Sequence, residues 1–599
     1  MSCICCAGSR LVLESTMGRR PEKLQNRMNI NSRHLKIILI LAAFLLVVRA
    51  IYESIRLRWI ADDAFISFRY ALNMVRGNGL VFNAEEKVEG FTNFLWTILM
   101  ALGLRINLSA ELFSMILSIG CYASLLLFLL AKVYYAKAEF AFSSSGTENP
   151  NRDSRENRNS RMGSYLLPLL ALILLAGMHH MHVFATSGLE TMAFALFVSA
   201  GVYFIWLRPE PLDAMGLWSL TVACLLRPDG AIVLAVAWLY ASGSLLSRRK
   251  KIVSTDQKQA DEVPPGMHWM HLGTTALVLI LYQAWRLYYY DSFFPNTFYA
   301  KSAYDPYPHQ GMIYLRLFYQ SYWYLPILLA LASFLAFRTK VNHRWWIMLL
   351  VILLWHGYVI WVGGDFMFGR FLVPILPAMA MTISWPLASA LESLNTGERL
   401  WISETPIPEK DPSEDAGKSG ANRPWPIILT GCLLLLPFLR WDPYSGLKAE
   451  NQAPEIRGIV EERLYYPRKE MEELAEVARS YSGAIRKNNI RLAFHGGAAF
   501  LIYYMDPEYA LEASTGLTDR RLARQILSDR GRIGHEKEAT LDYMQKREVD
   551  IYMWPPNPDG KERTIRFQGF WEDWQIIKND PEKIQPLLDH PSITMPYSN

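Results

Sequence analysis

Apolar runs long enough to cross a bilayer recur along this chain, and the first, Leu35 to Ile51 ("LKIILILAAFLLVVRAI"), constrains all that follows. Arg and Lys precede it and no small-residue cleavage site follows, so it reads as an uncleaved signal anchor whose N-terminus stays in the cytoplasm. Further runs fall at roughly 110–134, 164–185, 189–207, 214–227, 229–247, 270–287, 313–337, 345–362, 371–391 and 426–440, giving about eleven spans. Residues 1–34 then form a cytoplasmic extension, 35–441 a transmembrane domain with a first outer loop at 52–109, and 442–599 a soluble domain.

"FTNFLWTILMALGL", Phe91 to Leu104, is too short for an ordinary span and decides the parity. Reading it as interfacial or re-entrant places the polar loop around 136–162, "SRRKK" (Ser247 to Lys251) and "RTKVNHR" (Arg338 to Arg344) on the cytoplasmic side with the basic N-terminus. Every unusual short polar motif then lands on the outer face: "ADDAFISFRYA", "VEGFTN", "TSGLETMAF", "RPDG", "PNTFYAK" and "GGDFMFGRFLVP".

At 51% hydrophobic and 20% charged, the chain is a membrane portion joined to a soluble one, and a net charge of +5 spread over 599 residues points to no nucleic-acid partner. Cys3, Cys5 and Cys6 sit in "MSCICC" and Cys121, Cys224 and Cys432 lie singly in apolar runs, which argues against a disulfide framework or a zinc site. "SSSGTENPNRDSRENRNS" and the stretch 392–424 read as polar cytoplasmic loops. After about Trp441 the pattern becomes mixed. "KEMEELAEVARSY" has helical spacing, and "IRLAFHGGAAFLIYY" reads as a strand, a glycine turn and a further apolar segment, together predicting an outer α/β domain.

Asp62 and Asp63 at the mouth of a membrane helix are compatible with a solvated boundary or a helix N-cap. In a semi-apolar pocket, however, one carboxylate can take a proton from a sugar hydroxyl while its neighbour orients it or holds a metal or acceptor. Which of the two is the base stays open, because adjacent carboxyls titrate together. If the segment is helical, Arg69 lies nearly two turns beyond Asp62 and shares its face. Arg370, Lys301 and Arg227 read singly as snorkelling interface residues, but converging on one cavity they would stabilise a departing lipid phosphate. Asp365 and Asp229 are set to pair with those arginines, and Glu89 and Glu190 are further carboxylates near the outer interface. His179, His180 and His182 form an HHxH cluster with no matching ligand set, so no metal is assigned.

The series "DDAFISFRYALNMVRGNGLVFNAEEKVEGFTNFLW", "GLETMAF", "RPDGA", "PNTFYAK", "GGDFMFGRFLVP", "GLTDRRLARQ" and "GRIGHEK" resembles, in content and order, the terminal arabinofuranosyltransferase family of actinobacterial cell walls and its bacterial relatives. The resemblance runs from about Trp59 to His535. It implies a polytopic membrane glycosyltransferase of the GT-C fold in the bacterial inner membrane, with the catalytic acidic pair at Asp62 and Asp63 and a C-terminal periplasmic α/β domain. It further implies a donor sugar carried on polyprenyl phosphate, and the resulting expectation is an inverting transfer to a cell-envelope glycan at the outer leaflet. Arg69, Lys301 and Arg370 would hold the donor phosphate, with Glu89, Glu190, Arg227, Asp229, Asn296 and Asp365 in support, and Asp519 and His535 would belong to the acceptor-binding domain. The scheme requires no cofactor, and a divalent metal would not contradict it. Arabinose is not fixed by the motifs. A hexosyl (mannosyl-type) transferase acting on lipopolysaccharide or protein, a transporter or flippase of lipid-linked sugars, and a noncatalytic envelope scaffold are the competing expectations.

Overall fold

The computed structural model describes residues 32–84, 86–135, 156–208, 214–254, 265–339, 341–396, 435–445, 455–554, 564–567, 573–577, 580–589 and 593–594. The expected cytoplasmic extension, the two polar loops and much of the run at 426–440 lie largely or wholly outside the described residues.

The first two thirds are helical. α1 (Ser32–Arg56), α2 (Asp62–Val75), α3 (Phe94–Arg105), α4 (Ala110–Tyr135), α5 (Glu156–Gly177), α6 (His179–Phe184) and α7 (Thr191–Val202) are followed by α8 (Ala214–Leu226), α9 (Gly230–Ser254) and α10 (Pro265–Tyr290). α11 (Asn296–Ala300), α12 (Pro308–Ser321), α13 (Tyr324–Arg338), α14 (His343–Val362) and α15 (Leu376–Thr396) complete the helical part. Among the described residues, four helical stretches are long and apolar enough to cross a membrane: Ile37–Arg56, Ala110–Tyr134, His343–Val362 and Val373–Leu391. The last is 94% buried, against 22%, 33% and 33% for the others, so it runs through the middle of the bundle while those three lie at its edge. Their outward side chains, among them Leu41, Leu45, Ile116 and Leu353, are exposed, as expected of a surface that meets lipid rather than water.

Several expected spans take another form. The run at 313–337 is two helices, α12 and α13, meeting at an angle of 89° around Tyr322, and the pair makes a fifth span if it crosses as one. The run at 164–185 breaks at Met178, where α5 ends and α6 begins. α10 is 26 residues long but carries too many polar side chains to meet the same apolar standard. Phe94–Arg105, Leu166–Gly177, Thr191–Leu207, Ala214–Leu226 and Gly230–Leu246 are apolar but short. Short apolar helices can cross only within a thick bundle, which is where hydropathy alone loses the count.

The C-terminal part begins with a hairpin, β1 (Glu455–Ile456) and β2 (Ile459–Val460), and the amphipathic α16 (Arg468–Lys487). It continues through β3 (Leu492–Phe494), α17 (Ala499–Met505), β4 (Ala510–Glu512), α18 (Arg520–Ala523), α19 (Leu541–Lys546), β5 (Ile551–Trp554), β6 (Thr564–Phe567), β7 (Asp573–Ile576), α20 (Pro581–Leu588) and β8 (Ile593–Thr594). β3 through β8 form one sheet in the order β4-β3-β5-β7-β6-β8, parallel at β4-β3-β5 and antiparallel beyond. The glycine turn after β3 delivers the chain directly into α17.

Backbone and side-chain bonds fix this part against the helices. Met367 bridges Val460: the Phe368 N–H donates to Val460 O and the Val460 N–H to Phe366 O, each at 2.8 Å. Asn83 Nδ2 donates to Ala510 O at 3.0 Å and its Oδ1 accepts from the Ala510 N–H at 2.9 Å. Arg76 forks onto Asp506 with two bonds of 2.7 Å, the planar geometry that makes such pairs specific.

Candidate active site

α2 has two working faces, and the two aspartates of its first turn belong to different ones. Both carboxylates sit where the helix dipole favours negative charge. The start of α2 is fixed by α6 and the segment after it, the Ala61 N–H donating to Ser187 O (2.9 Å) and Trp59 Nε1 to Val183 O (2.9 Å), while Trp96 Nε1 of α3 holds the same segment through Gly188 O (3.0 Å). Gly188 has φ +79°, and a Cβ there would come within 2.9 Å of Ala64 Cβ, so only glycine lets the two segments approach so closely.

Asp62 faces the C-terminal part. It is 4% exposed and accepts a 2.9 Å hydrogen bond from the Phe500 N–H at the start of α17. Burial pushes its carboxyl up to about 7, against the pull of the Phe500 N–H and with the neighbouring Asp63 charge adding to the rise. Arg69, seven residues on, shares that face as expected of a helix. Its Nε donates to Phe82 O (3.0 Å) and its Nη2 to Pro507 O (2.7 Å). The expected phosphate role does not fit this placement: Arg69 is buried, committed to two carbonyls and outside the cavity that holds the other cations.

Asp63, Ile66 and Ser67, at the i, i+3, i+4 spacing of one helical stripe, line a cavity of about 510 Å3. Glu190, Arg227, Asp229, Lys301, Asp365 and Arg370 line the same cavity, so six of the expected residues distant in sequence meet Asp63 there. Arg370 Nη1 lies 3.0 Å from Asp63 Oδ2 and 3.5 Å from Asp365 Oδ2. Burial disfavours the charged guanidinium, but the Asp365 and Asp63 carboxylates outweigh it and hold Arg370 charged. The arginine is placed by consecutive left-handed glycines, Gly363 (φ +89°) and Gly364 (φ +80°), which end α14 and turn the chain into Asp365. Tyr314 then pins the loop, its hydroxyl donating to Met367 O at 3.0 Å and accepting from the Phe371 N–H at 3.2 Å.

A second polar group forms the other part of the lining. Arg227 pairs with Asp229 (2.8 Å) and Glu190 (3.3 Å), and Asn93 donates from Nδ2 to Glu190 Oε2 at 2.9 Å while its Oδ1 accepts from Ser67 Oγ at 3.0 Å. Asn93 lies in the "VEGFTN" motif but was not among the expected site residues; its hydrogen-bonding pattern emerges only once the helices are packed. Lys301 lies with Nζ 5.8 Å from the Phe366 ring centroid and, among the described residues, forms no ion pair. Between these groups the wall is apolar and aromatic, with Phe294, Phe298, Trp361 and Phe371, and Trp361 is 56% exposed at the rim.

Four expected residues lie elsewhere. Glu89 is buried against Arg286 (2.6 Å) rather than in the cavity; burial raises its carboxyl, with Arg286 opposing the rise. Asn296 ties α11 to the C-terminal part, donating to Gly516 O and Leu517 O at 2.9 Å each. Asp519 caps α18, accepting from the Arg521 and Leu522 N–H groups at 2.8 and 2.9 Å, and Tyr543 donates to it at 2.7 Å, so its oxygens are occupied. His535 stacks edge-on against Phe366 with centroids 4.9 Å apart, and burial, helped by Arg532, pushes its imidazole down to about 3. His179, His180 and His182 have separate partners: Glu461 (3.5 Å), the Tyr322 hydroxyl (2.7 Å) and Ala176 O (3.1 Å). Among the described residues no three His, Cys, Asp or Glu side chains converge as metal ligands.

An apolar helical bundle holding a buried carboxylate and arginine beneath a mixed α/β part is thus the class that fold and site define. In sequence the chain resembles two curated proteins, each named terminal beta-(1->2)-arabinofuranosyltransferase. The one from Mycobacterium tuberculosis is 28% identical over 276 residues, 44% of this chain and 38% of that protein. The one from Corynebacterium glutamicum is 30% identical over 371 residues, 57% of this chain and 50% of that protein. The chain therefore spans half or less of the length of these relatives, and no family model matches it.

Proposed function

We propose that the protein is a membrane glycosyltransferase of cell-envelope biosynthesis, of GT-C type, that moves a sugar, arabinofuranose in the first instance, from polyprenyl phosphate to a glycan hydroxyl at the outer face of the inner membrane. The observation that carries this reading is the meeting of Asp63, Arg370 and Lys301 in one cavity whose wall is largely aromatic and whose rim, at Trp361, is exposed. The names of the two relatives support transfer of an arabinofuranosyl group.

In this scheme the Asp63 carboxylate accepts the proton of the acceptor hydroxyl as its oxygen bonds to the anomeric carbon. The bond from that carbon to the phosphate oxygen breaks on the opposite side, inverting the centre. The bonding pair leaves with polyprenyl phosphate, whose negative charge is met by Lys301 and Arg370, so no general acid is needed at the leaving group. Arg370 also orients Asp63, and the Asn93, Glu190, Arg227 and Asp229 network supplies donors and acceptors for sugar hydroxyls. No step needs a metal or cofactor. The bend at Tyr322 is a feature shared with transporters, but "QSYWYLP" around it carries no charged side chain, and charges gather instead at the cavity.

The test is transfer by the full-length protein in detergent, using a synthetic short-chain prenyl phosphate carrying arabinofuranose and an arabinan oligosaccharide, with Asp63→Asn in parallel. Product from the wild type alone supports the reading. Turnover only with a mannosyl donor would replace the sugar, and no turnover with either donor would remove the enzymatic reading.

A further inference from the structure

Asn93 is the N-cap residue of α3, a position where asparagine ordinarily spends its side chain on the first amides of its own helix, yet here it makes no such bond. The side chain, 6% exposed, is used at the cavity instead. Its Oδ1 lies 3.0 Å from Ser67 Oγ and 3.1 Å from Thr97 Oγ1, and its Nδ2 lies 2.9 Å from Glu190 Oε2. Ser67 follows Asp63 by one turn on the cavity stripe of α2, while Glu190 immediately precedes α7 and is paired through its other oxygen with Arg227 at 3.3 Å. One amide thus joins the wall that carries Asp63 to the wall that carries Arg227.

The directions of these bonds follow from what each atom can do. A carboxylate held by arginine only accepts, so the amide nitrogen, which only donates, faces Glu190 and the amide oxygen faces the hydroxyls. That oxygen can only accept, so Ser67 gives its single hydroxyl hydrogen to Asn93 and keeps lone pairs alone. Ser67 and Glu190 both line the cavity, and both are therefore acceptors there. We propose that Asn93 is a specificity-determining residue: by fixing Ser67 and Glu190 as acceptors, it makes this end of the cavity take a sugar through hydroxyls that donate. This rests on the reading of the cavity as the site of sugar transfer. A sugar with fluorine in place of such a hydroxyl has no hydrogen to give, and it leaves a buried acceptor unpaired.

The experiment measures binding rather than turnover, because fluorine on the sugar slows departure of the leaving group whatever the protein does. Full-length wild type, Ser67→Ala and Asn93→Ala in detergent are titrated with the short-chain prenyl phosphate carrying arabinofuranose, and with analogues in which each sugar hydroxyl in turn is fluorine. Kd is read from ligand-induced thermal stabilisation. Wild type should bind at least one analogue about tenfold or more weakly than the parent, and both variants should cut that ratio to about threefold or less. A merely structural role would weaken parent and analogue alike, and an unchanged ratio would overturn the proposal. Ser67→Ala, which removes one oxygen from a helix, decides the matter if Asn93→Ala does not fold. Equal binding of the parent and every analogue by wild type would also overturn it, with the site reading intact. Failure of that reading looks different: wild type then binds neither parent nor analogue, which removes the sugar site and this assignment together.

Discussion

Arg370 stands between Asp63 and Asp365, 3.0 Å from one carboxylate and 3.5 Å from the other through the same Nη1 atom. One guanidinium therefore joins two of the carboxylates of the cavity and bears on the orientation of Asp63. Replacing Arg370 with Met should leave the buried Asp365 and the partly exposed Asp63 without their cation, costing about 3 kcal/mol, while Arg370→Lys should recover more stability than activity, because a lysine ammonium does not reproduce the fixed geometry of the guanidinium. Thermal unfolding and transfer rates measured on the same preparations check this.

The two aspartates should separate cleanly. Asp63→Asn is expected to lower kcat by about 100-fold or more, the scale of a lost general base, with little change in donor KM. Asp62→Asn keeps an oxygen for the Phe500 N–H and should retain most activity; equal losses in the two variants would place both in the chemistry.

Asp62 also predicts a pH dependence of stability. Its carboxyl lies at about 7 in the fold against 3.8 in an unfolded chain, so the folded protein favours the protonated form. That contribution is complete below about 4 and is lost as pH rises through about 7. The melting temperature of Asp62→Asn relative to wild type should therefore rise from pH 4 to pH 8; a flat difference would show that Asp62 is solvated.

Lys301, a cation of the cavity without an ion pair among the described residues, should matter mainly for an anionic donor. Lys301→Met is expected to cost about 1.5–3 kcal/mol of binding, a 10- to 100-fold rise in donor KM, with folding unchanged. Inorganic phosphate should inhibit the wild type more strongly than this variant.

Arg69 gives the complementary case. Arg69→Ala removes its bonds to Phe82 O and Pro507 O and should lower the melting temperature without raising the donor KM. A KM effect as large as that of Lys301→Met would return Arg69 to the phosphate site.

Much of the site was legible because the motifs carrying it are short, polar and set in apolar surroundings. Asp63, Glu190, Lys301, Asp365 and Arg370 were each visible as charges at the ends of apolar runs, and they do share a cavity. The faces of α2 were half legible. Helical spacing put Arg69 with Asp62, but what that face meets depends on Phe500 and Pro507, more than four hundred residues away. Successive residues on a helix point about 100° apart, so neighbouring aspartates acquire different environments only when both partners of the helix are in place. Asn296 and Asp519 were read as site residues because they are polar and lie in distinctive motifs. Their bonds go to backbone, a function that sequence pattern does not separate from substrate binding. The bent α12 and α13 pair was hidden because its two halves together read as one run apolar enough to span, although α13 is the more apolar half.

The hold of α17 on Asp62 and of β2 on the Arg370 loop also has a consequence for the order of synthesis. The ribosome releases the helices first, and neither anchor exists until residues beyond 460 have emerged and docked. A half-made chain would have the cations and the helical wall of its cleft, but not the lining that Leu517 and Ile533 supply, and an acid pair with one member unsecured. On the proposed reading, docking of the C-terminal part rather than insertion of the helices would mark the moment this protein becomes competent.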